Sequence, residues 1–320
     1  MLKAVSQTLE DLGLVRPGAT LTHYINITTG DAMSISVFTD DRRFFQVKAS
    51  EFVDLGSQHE VHHRAWSDYP GLVPRPFGCQ HRGGWSIMVC DGVLHTTVQR
   101  ADVIRPMWRG PGVMSEQLCD YFGQDRQGGA LGPQEEHAAL IQELMDHFQG
   151  GRISGIASAV VGDAIALGVE SMPPRPQHGD FVLNNLGRAG KRLVVFDWED
   201  YGKVWLPGLD ILTLYVSLLA EDVDALYRLV DKNTEPKGDT EVFLRPACEA
   251  QGIELTMFRR LVPFYLLVFL YLKRRYGARV QDRFRNLLQT LTERQASKCC
   301  PGSMKETAGP RKPHSRRNPA

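Results

Sequence analysis

Two short stretches of this 320-residue chain hold residue types that can move a phosphoryl group. HGDFVLNN over 178–185 supplies His178, Gly179, Asp180 and, five positions beyond that carboxylate, Asn185; VVFDWED over 194–200 supplies Asp197 at the end of an apolar run. Transfer from a nucleotide needs one carboxylate to take the proton of the attacking hydroxyl, and oxygen donors to hold Mg²⁺ against the phosphates. Asp180 suits the first task, Asn185 and Asp197 the second. If Phe181 and Leu183 turn inward to anchor the loop, Asp180 can face an acceptor and Asn185 a metal. A strand over 193–196 then delivers the Asp197 carboxylate at its end. A lone HGD would read as an ordinary turn and a lone DWED as an exposed strand end. Joined by an apolar strand and preceded by the break at Pro173, Pro174 and Pro176, they read as one phosphotransfer site.

The elements that must carry these residues fall into two groups. Residues 1–92 read mostly as strands, at 21–27, 33–39, 43–49 and 85–90, with turns at Thr29-Gly30-Asp31 and Asp91-Gly92. A helix over 51–66 is broken by Val73-Pro74-Arg75-Pro76. This is a small antiparallel sheet with one helix packed on it. Residues 93–297 read as mainly helical. Pro133 opens one helix, Ser154 caps a second that is apolar nearly all round and so expected to be central, and others cover 208–231, 240–252, 255–276 and 279–297. Residues 93–132 show weak periodicity. Residues 298–320, with four prolines and six lysines or arginines against Glu306 alone, read as a disordered basic tail. The fold class is α+β, with an N-terminal sheet lobe at 1–92 and a larger helical lobe at 93–297.

Bulk properties narrow the partners. The formal net charge is zero, which gives no footprint for nucleic acid or an anionic membrane surface. The N-terminal MLKAVSQTLEDLGLVRPG lacks a continuous apolar run, so no secretory signal is expected. The most apolar stretch, 261–272, is short, contains Pro263 and is flanked by Arg259, Arg260 and Lys273; it reads as a buried core helix, not a membrane span. Six cysteines without CxxC spacing read as reduced thiols of a cytoplasmic protein. His59, His62 and His63, with Glu60 the one carboxylate among them and no cysteine nearby, read as a solvated helix face. Glu199 and Asp200 either bind a cationic substrate or serve the loop, for instance through Lys203.

HGDFVLNN, FDWED and the later Pro207-Gly208-Leu209-Asp210 resemble the aminoglycoside phosphotransferase and choline kinase family of small-molecule kinases, over residues 175–212. The resemblance implies a two-lobe protein-kinase-like fold with ATP and Mg²⁺ as cofactors. It implies that Asp180 is the catalytic base, that Asn185 and Asp197 bind Mg²⁺, and that Asp210 braces the loop beside His178. It further implies a strand lysine at the nucleotide phosphates and a helix glutamate orienting it. Lys48, the only lysine between residues 4 and 190, fits the first, and Glu60 fits the second ahead of Glu51. The segment 87–90, with Met88 and Cys90, would be the hinge whose backbone meets the adenine. The phosphate-covering loop near 27–33 departs from the pattern in having Gly30 alone. Val182 stands where protein kinases of the Ser/Thr type place a lysine, which favours a small-molecule hydroxyl as acceptor: an amino alcohol, sugar, aminoglycoside-like compound or hydroxy amino acid. The rival reading is a kinase-like binding module that has lost transfer activity.

Overall fold

Side chains at every second position of a strand point to one face, and this rule sorts the first 91 residues. In a computed structural model that describes residues 1–26, 32–104, 112–124, 133–219, 222–231, 239–275 and 278–299, five strands form one antiparallel sheet in the order β1-β2-β3-β5-β4. They are β1 (Leu21–Asn26), β2 (Met33–Thr39), β3 (Phe44–Ser50), β4 (Pro76–Arg82) and β5 (Trp85–Asp91). Ile35, Val37, Phe45, Val47, Ala49, Ile87 and Val89 share one face and bury against Val5 and Leu9 of helix α1 (Leu2–Asp11). Burying two such side chains contributes about 3–6 kcal/mol. The opposite face presents Lys48, paired in register with Met88, and Cys90. Helix α2 (Gly56–Asp68) lies on that side.

Two elements of this lobe differ from the sequence expectation. The first residues form α1, not a lead-in to strands, because Val5, Leu9 and the buried Thr8 make one stripe at helical spacing. The segment after VPRP continues as strand β4 despite Pro76 and Gly78. It lies at the sheet edge, where a missing backbone N–H is tolerated, and its register slips between Pro76 and Gly78.

The remaining chain is mainly helical: α3 (Arg100–Val103), α4 (Ser115–Gly123), α5 (Pro133–Phe148), α6 (Ser154–Ala166), α7 (Leu209–Leu218), α8 (Val223–Val230), α9 (Asp239–Ala250), α10 (Leu255–Leu272) and α11 (Ala278–Cys299). Strands β7 (Leu186–Ala189) and β8 (Arg192–Val195), between α6 and α7, join β6 (Thr96–Thr97), which precedes α3, in a small sheet beside the HGD loop. The single helix expected over 208–231 is two. Asp222 caps the second, accepting from the backbone N–H groups of Asp224 and Ala225. The central helix is α10, not α6. Ala157, Val160, Val161 and Ala164 of α6 bury one stripe, Ile165 faces solvent, and Ser154 makes no cap bond. By length and composition α10 alone among the described helices could cross a membrane, yet Phe258 and Leu261 through Leu270 lie inside the protein. The described cysteines 79, 90, 119 and 248 are free thiols. The phosphate-covering loop lies largely outside the described residues, as does the basic tail.

Candidate active site

The HGD stretch is built around Asp210 at the start of α7. Its Oδ2 accepts the His178 backbone N–H at 2.7 Å and the Tyr121 hydroxyl at 2.7 Å, while Oδ1 accepts the Gly179 N–H at 3.0 Å. Burial pushes the Asp210 carboxyl up, and the His178, Tyr121 and Gly179 donors pull against it. Burial likewise pushes the Tyr121 hydroxyl well above its ordinary value. Gln177 closes the clasp from the other side, its Oε1 accepting the Asp210 N–H at 3.2 Å. The chain enters α7 through Gly208 at φ +93°, where a Cβ would stand 2.4 Å from the Tyr265 hydroxyl oxygen. Only glycine fits both demands.

His178 is fully buried and serves the loop, not solvent. Its Nε2 is 2.9 Å from the Phe196 carbonyl, and its Nδ1 is 3.2 Å from the Asp180 backbone N–H. A carbonyl only accepts and an N–H only donates, so the ring is the neutral tautomer with its proton on Nε2. His178 thereby ties the segment before Asp180 to the strand end that carries Asp197. Phe181 turns inward as expected, stacked on Tyr121 at 4.6 Å. The loop continues to Asn185, whose Nδ2 donates to the Asp180 carbonyl at 2.9 Å. That commitment leaves Oδ1 as the free face of the amide. Phe196 N–H bonds the Asn185 carbonyl at 2.8 Å, which brings the two halves of the motif side by side.

Asp197 adopts a left-handed backbone, φ +59°, which is uncommon for a residue with a side chain and turns its carboxylate off the strand line. Its Oδ1 lies 3.5 Å from Lys48 Nζ. Lys48 also meets Glu199 Oε2 at 3.3 Å and Gln58 Oε1 at 3.2 Å. Burial alone would lower the Lys48 ammonium, but Asp197 and Glu199 outweigh it and hold it above its ordinary value. The Asn185 amide oxygen and the Asp197 carboxylate are hard oxygen donors of the kind Mg²⁺ takes alongside phosphate oxygens, so the residues present fit that ion.

The helix partner of Lys48 is Gln58, whereas Glu60 is exposed. The two positions lie two residues apart on a helix and so point to nearly opposite sides. Glu199 supplies the carboxylate that Glu60 was expected to offer. Met88 and Cys90 lie on the Lys48 side of the sheet, packed with Leu55 into a small apolar floor. Burial pushes the Cys90 thiol up to about 12. His62 departs from the expected solvated face. It is buried with Nε2 2.7 Å from the Pro74 carbonyl, and burial lowers its imidazole to about 4. His63 is exposed as expected. Asp200 is buried and pairs with Lys203 at 2.7 Å and with Lys273 at 3.5 Å, an arrangement that serves the loop. Gly179 follows from it: at φ +83°, a Cβ there would lie 3.0 Å from the Asp200 Cβ.

One charged contact went unseen in the sequence. Lys273, just past α10, places Nζ 2.9 Å from Asp180 Oδ2. Its only sequence signal is its place as the basic flank of an apolar run. Tyr121, in the poorly periodic region before α5, carried no signal at all.

No family model matches the chain, and no curated protein matches it. Solved structures do. An ethanolamine kinase from Plasmodium vivax superposes with a TM-score of 0.61 at 11% identity, over 91% of this chain and 88% of that one. A choline kinase from Streptococcus pneumoniae gives 0.51 at 13% identity, over 92% and 99%. An aminoglycoside phosphotransferase in a ternary complex with ADP and hygromycin B gives 0.51 at 13% identity, over 89% and 97%. The fold is therefore the α+β, two-lobe protein-kinase-like fold of these small-molecule kinases, as the motif resemblance implied.

Proposed function

We propose that this protein is a cytoplasmic phosphotransferase that moves the terminal phosphoryl group of ATP, with Mg²⁺, to a hydroxyl of a small molecule. The observation that carries the reading is the loop around Asp180. Its preceding amides are clasped by Asp210, its carbonyl holds Asn185, and His178 joins it to the strand that ends in Asp197. Asp180 would position the acceptor hydroxyl and take its proton. Asn185 and Asp197 would hold Mg²⁺, which supplies charge neutralisation at the phosphates when bound. Lys48 would steady the phosphates from β3, and the apolar floor at Met88 and Cys90 would lie under the base. Residues 1–92 would form the nucleotide lobe and 93–297 the catalytic lobe. Catalysis of this kind is mainly positioning and charge compensation. Structural neighbours solved with nucleotide and an aminoglycoside, or described as kinases of amino alcohols, support the acceptor class.

The test compares thermal melting with ATP, with and without Mg²⁺, in the wild type, Asp197→Ala and Asp180→Ala. Mg²⁺-dependent stabilisation is expected in the wild type and in Asp180→Ala, and its loss in Asp197→Ala. Asp180→Ala should also abolish turnover. Near-wild-type turnover in Asp180→Ala would overturn the assignment. No stabilisation in the wild type would favour a binding module that has lost transfer.

A further inference from the structure

The cation at Asp180 does not come from the catalytic loop. Val182 occupies the position two residues on, and the charge arrives instead from the far end of α10. Lys273 is 4% exposed at its side chain, with Nζ 2.9 Å from Asp180 Oδ2, 3.5 Å from Asp200 Oδ2 and 5.3 Å from the centre of the Phe269 ring. A buried ammonium against an aromatic face is little screened by water. The end of a helix, where backbone carbonyls concentrate negative potential, also favours a cation.

Neutralising Asp200 does not explain this arrangement. Asp200 Oδ1 already has Lys203 at 2.7 Å, whereas the shorter contact of Lys273 is to Asp180. Asp180 is the more exposed of the two carboxylates, with its side chain 20% exposed. With Oδ2 held from inside, Oδ1 is the oxygen left for a hydroxyl arriving from the cleft.

Resting on the phosphotransfer reading above, we propose that Lys273 is a positioning residue for that reaction: it pins Oδ2 of Asp180 so that Oδ1 meets the acceptor hydroxyl. In the step so arranged, the hydroxyl proton passes to Oδ1. The acceptor oxygen bonds to the terminal phosphorus as the bond from that phosphorus to the bridging oxygen breaks, and the nucleoside diphosphate leaves. Misplacing one carboxylate by about 1 Å costs on the order of 100-fold in rate.

The full-length chain is assayed with ATP and Mg²⁺ alone, water serving as the hydroxyl acceptor, and ADP release is followed. Lys273→Met should keep the MgATP-dependent melting shift and the KM for ATP while kcat falls on the order of 100-fold. Lys273→Arg, which keeps the charge, should recover part of the loss. A folded Lys273→Met with kcat within about threefold of wild type overturns the proposal, as does a Lys273→Arg no faster than Lys273→Met. If Lys273→Met does not fold, Lys273→Gln, which is polar but uncharged and one bond shorter than the ammonium that meets Asp180 Oδ2 at 2.9 Å, carries the same test with the same overturning result. A wild type that neither releases ADP nor is stabilised by MgATP sinks the phosphotransfer reading itself and this role with it. A wild type that turns over beside an equally fast Lys273→Met sinks only the positioning role.

Discussion

Asp210→Ala removes the acceptor shared by the His178 N–H, the Gly179 N–H and the Tyr121 hydroxyl, all buried. Each donor left without a partner costs about 1–3 kcal/mol. Against this stands a gain, because burial disfavours the Asp210 carboxylate and its removal relieves that penalty. The net loss is about 2–5 kcal/mol. Asp210→Asn is the sharper comparison. An amide oriented to accept from His178 and Tyr121 at the Oδ2 site must set its NH₂ against the Gly179 N–H at the Oδ1 site. One bond is lost and two donors oppose each other, for about 1–3 kcal/mol. Urea unfolding followed by circular dichroism gives both values from the midpoint and slope. The order wild type, Asn, Ala in falling stability is expected. Asp210→Ala within about 1 kcal/mol of wild type would show that the clasp on the HGD loop is not what holds it.

The partner of Lys48 can be tested by comparing two neighbours on α2. Lys48→Met should remove the MgATP-dependent melting shift and Gln58→Ala should reduce it, while Glu60→Ala leaves it unchanged; a loss on Glu60→Ala would refute the exposed placement. His62 gives a pH signature. Its folded value of about 4 lies below its unfolded 6.5, so the stability it contributes is whole above 6.5 and drains as pH falls toward 4. Between pH 7 and pH 5 the loss is about 2 kcal/mol, and His62→Gln, which keeps an N–H for the Pro74 carbonyl, should show that much less acid sensitivity in urea titrations at the two pH values. Gly179→Ala should cost at least about 1–2 kcal/mol from its left-handed backbone alone; an unchanged urea midpoint would mean that the turn rearranges.

The grouping of the motif residues in space was legible because it is local. His178, Asp180 and Asn185 lie on one loop, and Asp197 and Asp210 follow within a strand and a turn, so spacing alone groups them. Lys48 stood out by the scarcity of lysine around it. Glu60 failed on helical phase. The sequence showed a helix, but only its actual start at Gly56 and its packing on the sheet decide which side faces Lys48, and that side carries Gln58. Lys273 was out of reach for a different reason. Its contact joins positions far apart in the chain, and no local pattern encodes which basic flank of an apolar helix turns inward. Strand β4 was hidden by its own breakers, Pro76 and Gly78, because an edge position suspends the rule that they interrupt strands.

Helix α1 closes the back of the first sheet, and the partners that fix it arrive late. Leu12 packs so closely over Gly78 that a Cβ there would lie 2.8 Å away, and Asp11 pairs with Arg82, both on β4. During synthesis the chain's opening residues must therefore wait until the last two strands of the sheet have left the ribosome before their apolar stripe is covered. Until then Val5 and Leu9 lack their full cover on a nascent chain whose β3 has no β5 partner. This makes α1 a timing element for co-translational folding, and tags or slow codons placed around it should change yield more than they change the finished enzyme.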